Sequence, residues 1–109
     1  MKEYSVKITP YAIEQMTEIR DYIAYQLFDP DAAKNLILKI RKAISELHQL
    51  PERIRTIDEQ PWGNQGVRKI IVNNFYVYFW IDEEHLEVHV TAAAYAGRDQ
   101  EKVLKRIEE

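Results

Sequence analysis

The chain has 109 residues, enough for one domain built on a single core. Its 46% hydrophobic and 30% charged residues exclude a disordered chain, and the lack of cysteine excludes a disulfide framework and thiol chemistry, which fits a reducing cytoplasm. A formal net charge of −3 argues against a protein whose whole surface grips nucleic acid.

The opening Met1-Lys2-Glu3-Tyr4-Ser5-Val6 lacks the apolar stretch of a secretory signal. No apolar run reaches the roughly 20 residues that span a bilayer, so a cytoplasmic protein without a membrane partner is expected. Tyr4, Val6 and Ile8 alternate with Ser5 and Lys7, the period of a half-buried strand. Thr9-Pro10 then supplies a helix cap and a first-turn proline. Ala12, Met16, Ile19, Ile23 and Leu27 recur at helical spacing and predict one amphipathic helix over 10–27. Asp29-Pro30 repeats the start signal. Leu36, Ile37, Ile40, Ile44, Leu47 and Leu50 carry a second helix that stops at Pro51, which makes a helical hairpin.

Residues 51–66, with Pro51, Pro61, Gly63 and Gly66, form a loop with a short extended piece at Ile54–Ile57. Three strands follow. They are Val67–Val72, a turn at Asn73-Asn74, the apolar run Phe75–Ile81, an acidic turn at Asp82–His85, and an alternating run from Leu86 to Ala94. The unbroken apolar character of Phe75–Ile81 predicts a central strand covered on both faces, with Trp80 in the core. Asp99 caps a last short helix, with Val103, Leu104 and Ile107 on one side and Glu101, Glu108 and Glu109 on a solvated face. Helices and strands come in runs. This predicts a single α+β domain over residues 1–109, an antiparallel sheet packed against an N-terminal two-helix hairpin with a short C-terminal helix.

Charge is uneven along the chain. Residues 34–69 hold Lys34, Lys39, Arg41, Lys42, Arg53, Arg55, Arg68 and Lys69 against only Glu46, Glu52, Asp58 and Glu59. Such a segment offers a local basic face or, equally, an ordinary solvated helix and loop. On a regular strand Arg68 and Lys69 point to opposite faces, so they do not grip one phosphate together. Trp62, in the loop before Gly63 and Gly66, either covers the sheet or stands out as an anchor for a protein contact.

The order of elements, together with Tyr4-Ser5-Val6-Lys7-Ile8-Thr9-Pro10-Tyr11-Ala12, Asp21-Tyr22-Ile23-Ala24, Leu50-Pro51-Glu52-Arg53, Gly66-Val67-Arg68-Lys69, Tyr76-Val77-Tyr78-Phe79 and Tyr95-Ala96-Gly97-Arg98-Asp99, resembles the RelE/ParE toxin superfamily over nearly the whole chain. The resemblance implies the toxin of a type II toxin–antitoxin module, neutralised by a co-encoded antitoxin that covers an apolar groove or an open sheet edge. In a homodimer that groove is self-occupied. Two activities are implied: ribosome-dependent mRNA cleavage in RelE-like members, and poisoning of DNA gyrase without catalysis in ParE-like members. A degenerate member that binds its antitoxin without harming the cell is a third reading.

A metal-independent ribonuclease needs a group that activates a 2′-hydroxyl, a cation on the phosphate and a proton donor for the leaving oxygen. By resemblance Arg68 is the strand arginine and Tyr95 the residue that stacks on a base or moves a proton. Arg98 stands beside the last helix. These three are the catalytic candidates, or target-binding ones if nothing is catalysed, and Arg53, Arg55, Trp62 and Lys69 are target-binding candidates. Between Lys69 and Asp82 the strands carry no charge, and the Tyr-Ala-Gly-Arg-Asp ending looks closer to the ParE-like branch. His48, His85 and His89 show no metal-ligand spacing. His89, placed by alternation on the face of Tyr95, is the one candidate proton shuttle. No cofactor and no metal are expected.

Overall fold

The computed structural model describes residues 2–107, so the tail residues Glu108 and Glu109 lie outside the described residues. The elements run β1 (Ser5–Ile8), α1 (Pro10–Asp21), α2 (Pro30–Ser45), β2 (Arg68–Val72), β3 (Phe75–Asp82), β4 (Glu87–Tyr95) and α3 (Gln100–Ile107). Both helix starts form as their sequences dictate. Thr9 Oγ1 accepts from Ala12 N at 3.2 Å and Asp29 Oδ1 accepts from Ala32 N at 3.1 Å, each satisfying a first-turn donor. The helical stretch expected to reach residue 27 changes character on the way. After Asp21 it continues as a π-helical turn, Tyr22–Gln26. Leu27, expected on the core stripe, is 55% exposed, and Phe28 is 87% exposed at a positive φ of 53° just before the Asp29 cap.

The sheet has the order β1-β4-β3-β2. The meander β2–β3–β4 is antiparallel as expected, while β1 returns to pair with β4 in parallel, so the sheet is mixed. One face carries α1 and α2. Ala12, Met16, Leu36, Ile40 and Ile44 pack there on Val77, Phe79, Val88, Val90 and Ala93. The second face is also covered, by the segment 57–67 and α3. Ile57, Trp62, Val67, Val103 and Leu104 close over Tyr78, Ala92 and Ala94. The loop-rich stretch is therefore a packed layer. Gly63 is required within it, because a Cβ there would stand 2.1 Å from Ile57 O. Trp62 is 5% exposed, so the structure corrects its assignment as a target-binding anchor. Burying a side chain of that size stabilises the layer by roughly 3 kcal/mol or more.

β4 holds a bulge. Tyr78 pairs with Ala92 and Phe79 with Val90, which leaves Thr91 between them without a partner on β3. The extra residue reverses the alternation. Val88 and Val90 face the helical hairpin, and beyond the bulge Ala93 does so, with Tyr95 in step. His89 lies on the opposite face, stacked on Trp80 with ring centroids 4.6 Å apart and 13° between planes. Two expectations are corrected by this geometry. His89 does not share a face with Tyr95, and Trp80 is 39% exposed rather than core, since the covering layer does not reach that end of β3.

A groove at the Tyr95 end of the sheet

β1 pairs with β4 only as far as Val90. Past that point α1 takes over the exposed edge of β4. Gln15, 4% exposed, accepts from Ala93 N at 2.9 Å through Oε1 and donates from Nε2 to Tyr11 OH at 3.0 Å. A buried backbone N–H left unpaired costs about 1–3 kcal/mol, so a buried glutamine in an apolar stripe has a clear reason here. Between this edge and the π-helical turn lies a groove of about 720 Å³, walled by Ile19, Tyr22 and Leu27 on one side and by Phe75 and Tyr95 on the other, with Arg98 at its rim.

Tyr95 packs edge-on to Phe75, centroids 5.9 Å apart, and is 51% exposed. The turn beyond it is held by Gln100. Its Nε2 lies 3.0 Å from Tyr95 O and 2.8 Å from Arg98 O, while its Oε1 accepts from Tyr78 OH at 2.7 Å. Arg98 N also donates to Tyr95 O at 3.0 Å. Burial pushes the Tyr78 phenol above its ordinary value, which keeps it a proton donor to Gln100. The Arg98 side chain is exposed and has no hydrogen-bond or ion-pair partner among the described residues. The groove can thus offer aromatic faces and one uncommitted guanidinium to a partner. Gln15 and Gln100, which shape it, were missed in the sequence. A polar residue on an otherwise apolar stripe was the available signal for the first; nothing local pointed to the second.

Arg68 stands elsewhere. It pairs with Phe79, whereas Tyr95 pairs with Phe75, so along β3 the two are four residues apart, about 13 Å. Its Nη1 donates to Glu52 O at 3.3 Å and to Ile54 O, tying the loop to the sheet beside the Thr56–Arg68 bridge. The structure brings Tyr95 and Arg98 together and leaves Arg68 out.

The remaining basic candidates are scattered. Arg53 Nη1 donates to Gln49 O and Leu50 O at 2.7 and 2.9 Å. Arg55 pairs with Asp58 at 3.4 Å on the open surface, where such a pair contributes little. Lys69 sits with Nζ 4.0 Å above the Tyr76 ring on the other face of β2 from Arg68. A second groove runs between α1, α2 and β1, lined by Val6, Ile8, Met16 and Ile44 with Arg20 and Arg41. β1 is an edge strand of the sheet there. Among the described residues no helix is long and apolar enough to cross a membrane.

Comparison with known proteins agrees with this architecture. The family described as "ParE toxin of type II toxin-antitoxin system, parDE" matches residues 6–99. No curated protein sequence matches the chain. Among solved structures, the chromosomal ParDE system of P. aeruginosa superimposes with a TM-score of 0.69 at 20% identity, over 85% of this chain and 96% of that one. An arginine-to-alanine double mutant of the E. coli toxin RelE in its free state gives 0.66 at 15% identity, over 96% and 98% of the two chains. The archaeal RelE–RelB complex from Pyrococcus horikoshii gives 0.58 at 14%, over 88% and 98%. At such identities the structural likeness speaks for the fold alone.

Proposed function

Because the chain belongs to the ParE toxin family of type II toxin–antitoxin systems, we propose that this toxin arrests growth by binding its target, DNA gyrase, rather than by cleaving mRNA, and that it does so in the cytoplasm. The observation that carries this reading is the separation of Arg68 from the Tyr95–Arg98 pair. Phosphodiester cleavage needs a proton acceptor, a phosphate cation and a proton donor around one scissile bond. Here one cation is engaged with loop carbonyls and the other stands beside a tyrosine at a groove. Aromatic faces with an uncommitted arginine suit a protein contact.

The proposed inhibitor is a co-encoded antitoxin. Its segment lies in the groove between α1, α2 and β1, presenting apolar side chains to Val6, Ile8, Met16 and Ile44 and carboxylates to Arg20 and Arg41. The edge of β1 offers backbone groups for an added strand.

The test is to induce this protein alone in a bacterial host and map mRNA 5′ ends within minutes, alongside gyrase-linked DNA breaks. Growth arrest with trapped gyrase and no new ends is expected. New ends inside translated codons, lost in Arg98→Ala, would overturn the reading in favour of ribosome-dependent cleavage. No arrest at all would identify a degenerate, antitoxin-binding member.

A further inference from the structure

The end of the sheet remote from the Tyr95 groove carries a second grouping of chemically active side chains. Asp82 on β3 pairs with Glu87 on β4, and Trp80 pairs with His89 two residues along. By strand alternation Asp82, Glu87 and His89 share the sheet face on which Trp80 lies. Their ligand atoms all fall within 4.8 Å of one another, and each residue is half-buried. We propose that this hairpin binds a divalent first-row transition-metal ion, of the zinc class, through Asp82, Glu87 and His89.

The donor set argues for the class of ion. One imidazole nitrogen with two carboxylate oxygens suits zinc and its neighbours, whereas magnesium and calcium take oxygen alone. Tetrahedral bonds of about 2.1 Å hold ligand atoms roughly 3.4 Å apart, and His89 Nε2 already stands 3.3 Å from Glu87 Oε1. Asp82 lies within 4.8 Å of both and has at most about 1.4 Å to close, within the reach of a side-chain rotation.

The supporting shell is present before any ion arrives. The Trp80 ring lies flat on the imidazole of His89 and limits its tilt. Asp82 is oriented by His85, whose Nδ1 is 2.8 Å from Oδ2 and whose backbone N donates to Oδ1 at 3.2 Å. Partners of this kind hold a ligating group in its coordinating orientation. Asp82, Glu83, Glu84 and Glu87 crowd four carboxylates into six residues, a field that draws cations. Lys7 Nζ stands 4.0 Å from Glu87 Oε2 on a side chain 58% exposed, and it can swing aside. With three protein ligands the fourth position falls to water or to a donor from another molecule.

The site is about 23 Å along β4 from Tyr95 and is independent of how the toxin acts. It is tested on the purified full-length chain, free of any polyhistidine tag and stripped of metal, by calorimetric titration with Zn²⁺ and in parallel with Mg²⁺. One saturable Zn²⁺ site per chain is expected, with no heat from Mg²⁺ at the same concentrations. Affinity should fall roughly tenfold or more in His89→Ala and in Glu87→Gln, and stay unchanged in His48→Ala. Imidazole NMR signals of the unaltered protein give a readout that needs no variant, with the His89 ring moving on Zn²⁺ addition. Absence of saturable binding, undiminished affinity in a well-folded His89→Ala, or a spectrum in which His89 does not move would each overturn the proposal.

Discussion

Tyr95 lies across Gly97. A Cβ on residue 97 would stand 2.4 Å from Tyr95 Cε2 and 3.1 Å from two more atoms of the ring, closer than real side chains tolerate. The glycine in the Tyr-Ala-Gly-Arg string is therefore the seat of the tyrosine ring, and it fixes that ring beside Phe75 at the mouth of the groove.

Gly97→Ala should accordingly behave as a Tyr95 variant without touching the tyrosine. The ring is driven from its position, growth arrest on induction falls to the level of Tyr95→Ala, and the thermal midpoint moves by only a few degrees. A fully toxic Gly97→Ala would show that the ring's position does not matter.

Arg98 and Arg68 should separate cleanly. Arg98→Ala removes a side chain with no partner among the described residues, so toxicity is lost while urea unfolding is unchanged within about 0.5 kcal/mol. Arg68→Ala leaves Glu52 O and Ile54 O without their donor and costs about 1–3 kcal/mol. Equal destabilisation by both would contradict their assigned roles.

Much of this was legible beforehand. Both caps, the two helices, the antiparallel meander and the turn at Asn73-Asn74 follow from spacing and turn chemistry that act within a few residues. What was hidden depends on distant partners. Trp62 has neighbours 30 and more residues away on β4 and α3, and no local pattern states whether they exist. Trp80 reads like its apolar neighbours, yet the covering layer ends before reaching it. Gln15 is explained only by an N–H 78 positions later. The parallel return of β1 is likewise a property of the whole sheet.

Trp62→Ala should lower stability by about 3–5 kcal/mol in urea unfolding, because its layer has little else of that volume to fill the space. Trp80→Ala, at the uncovered end of β3, should cost much less. If the two losses were alike, segment 57–67 would not be the packed layer described here.

Alkaline pH gives a separate check. The hydrogen bond from Tyr4 OH to Glu83 Oε2, at 2.8 Å, and burial of the phenol push the Tyr4 pKa up to about 12. A folded-state value above the unfolded value of about 10 means that the stabilisation is complete below pH ~10 and disappears as pH climbs towards 12. Unfolding measured from pH 9 upward, compared with Tyr4→Phe, should show a steeper alkaline loss in the unaltered protein. Parallel curves would sink this assignment.

The bulge at Thr91 has one further consequence, for how such a chain can change over generations. One supernumerary residue lets a single strand serve two opposite sides of the molecule, so His89 and Tyr95 address different neighbours although only five residues intervene. Substitutions at the acidic hairpin are thereby screened from the groove by a sheet and a core, and selection can rework either end without retuning the other. Deleting Thr91 would couple them at a stroke, exchanging inside for outside along the last four residues of β4. Loss of the position therefore costs more than a change of its side chain, because only loss shifts the register.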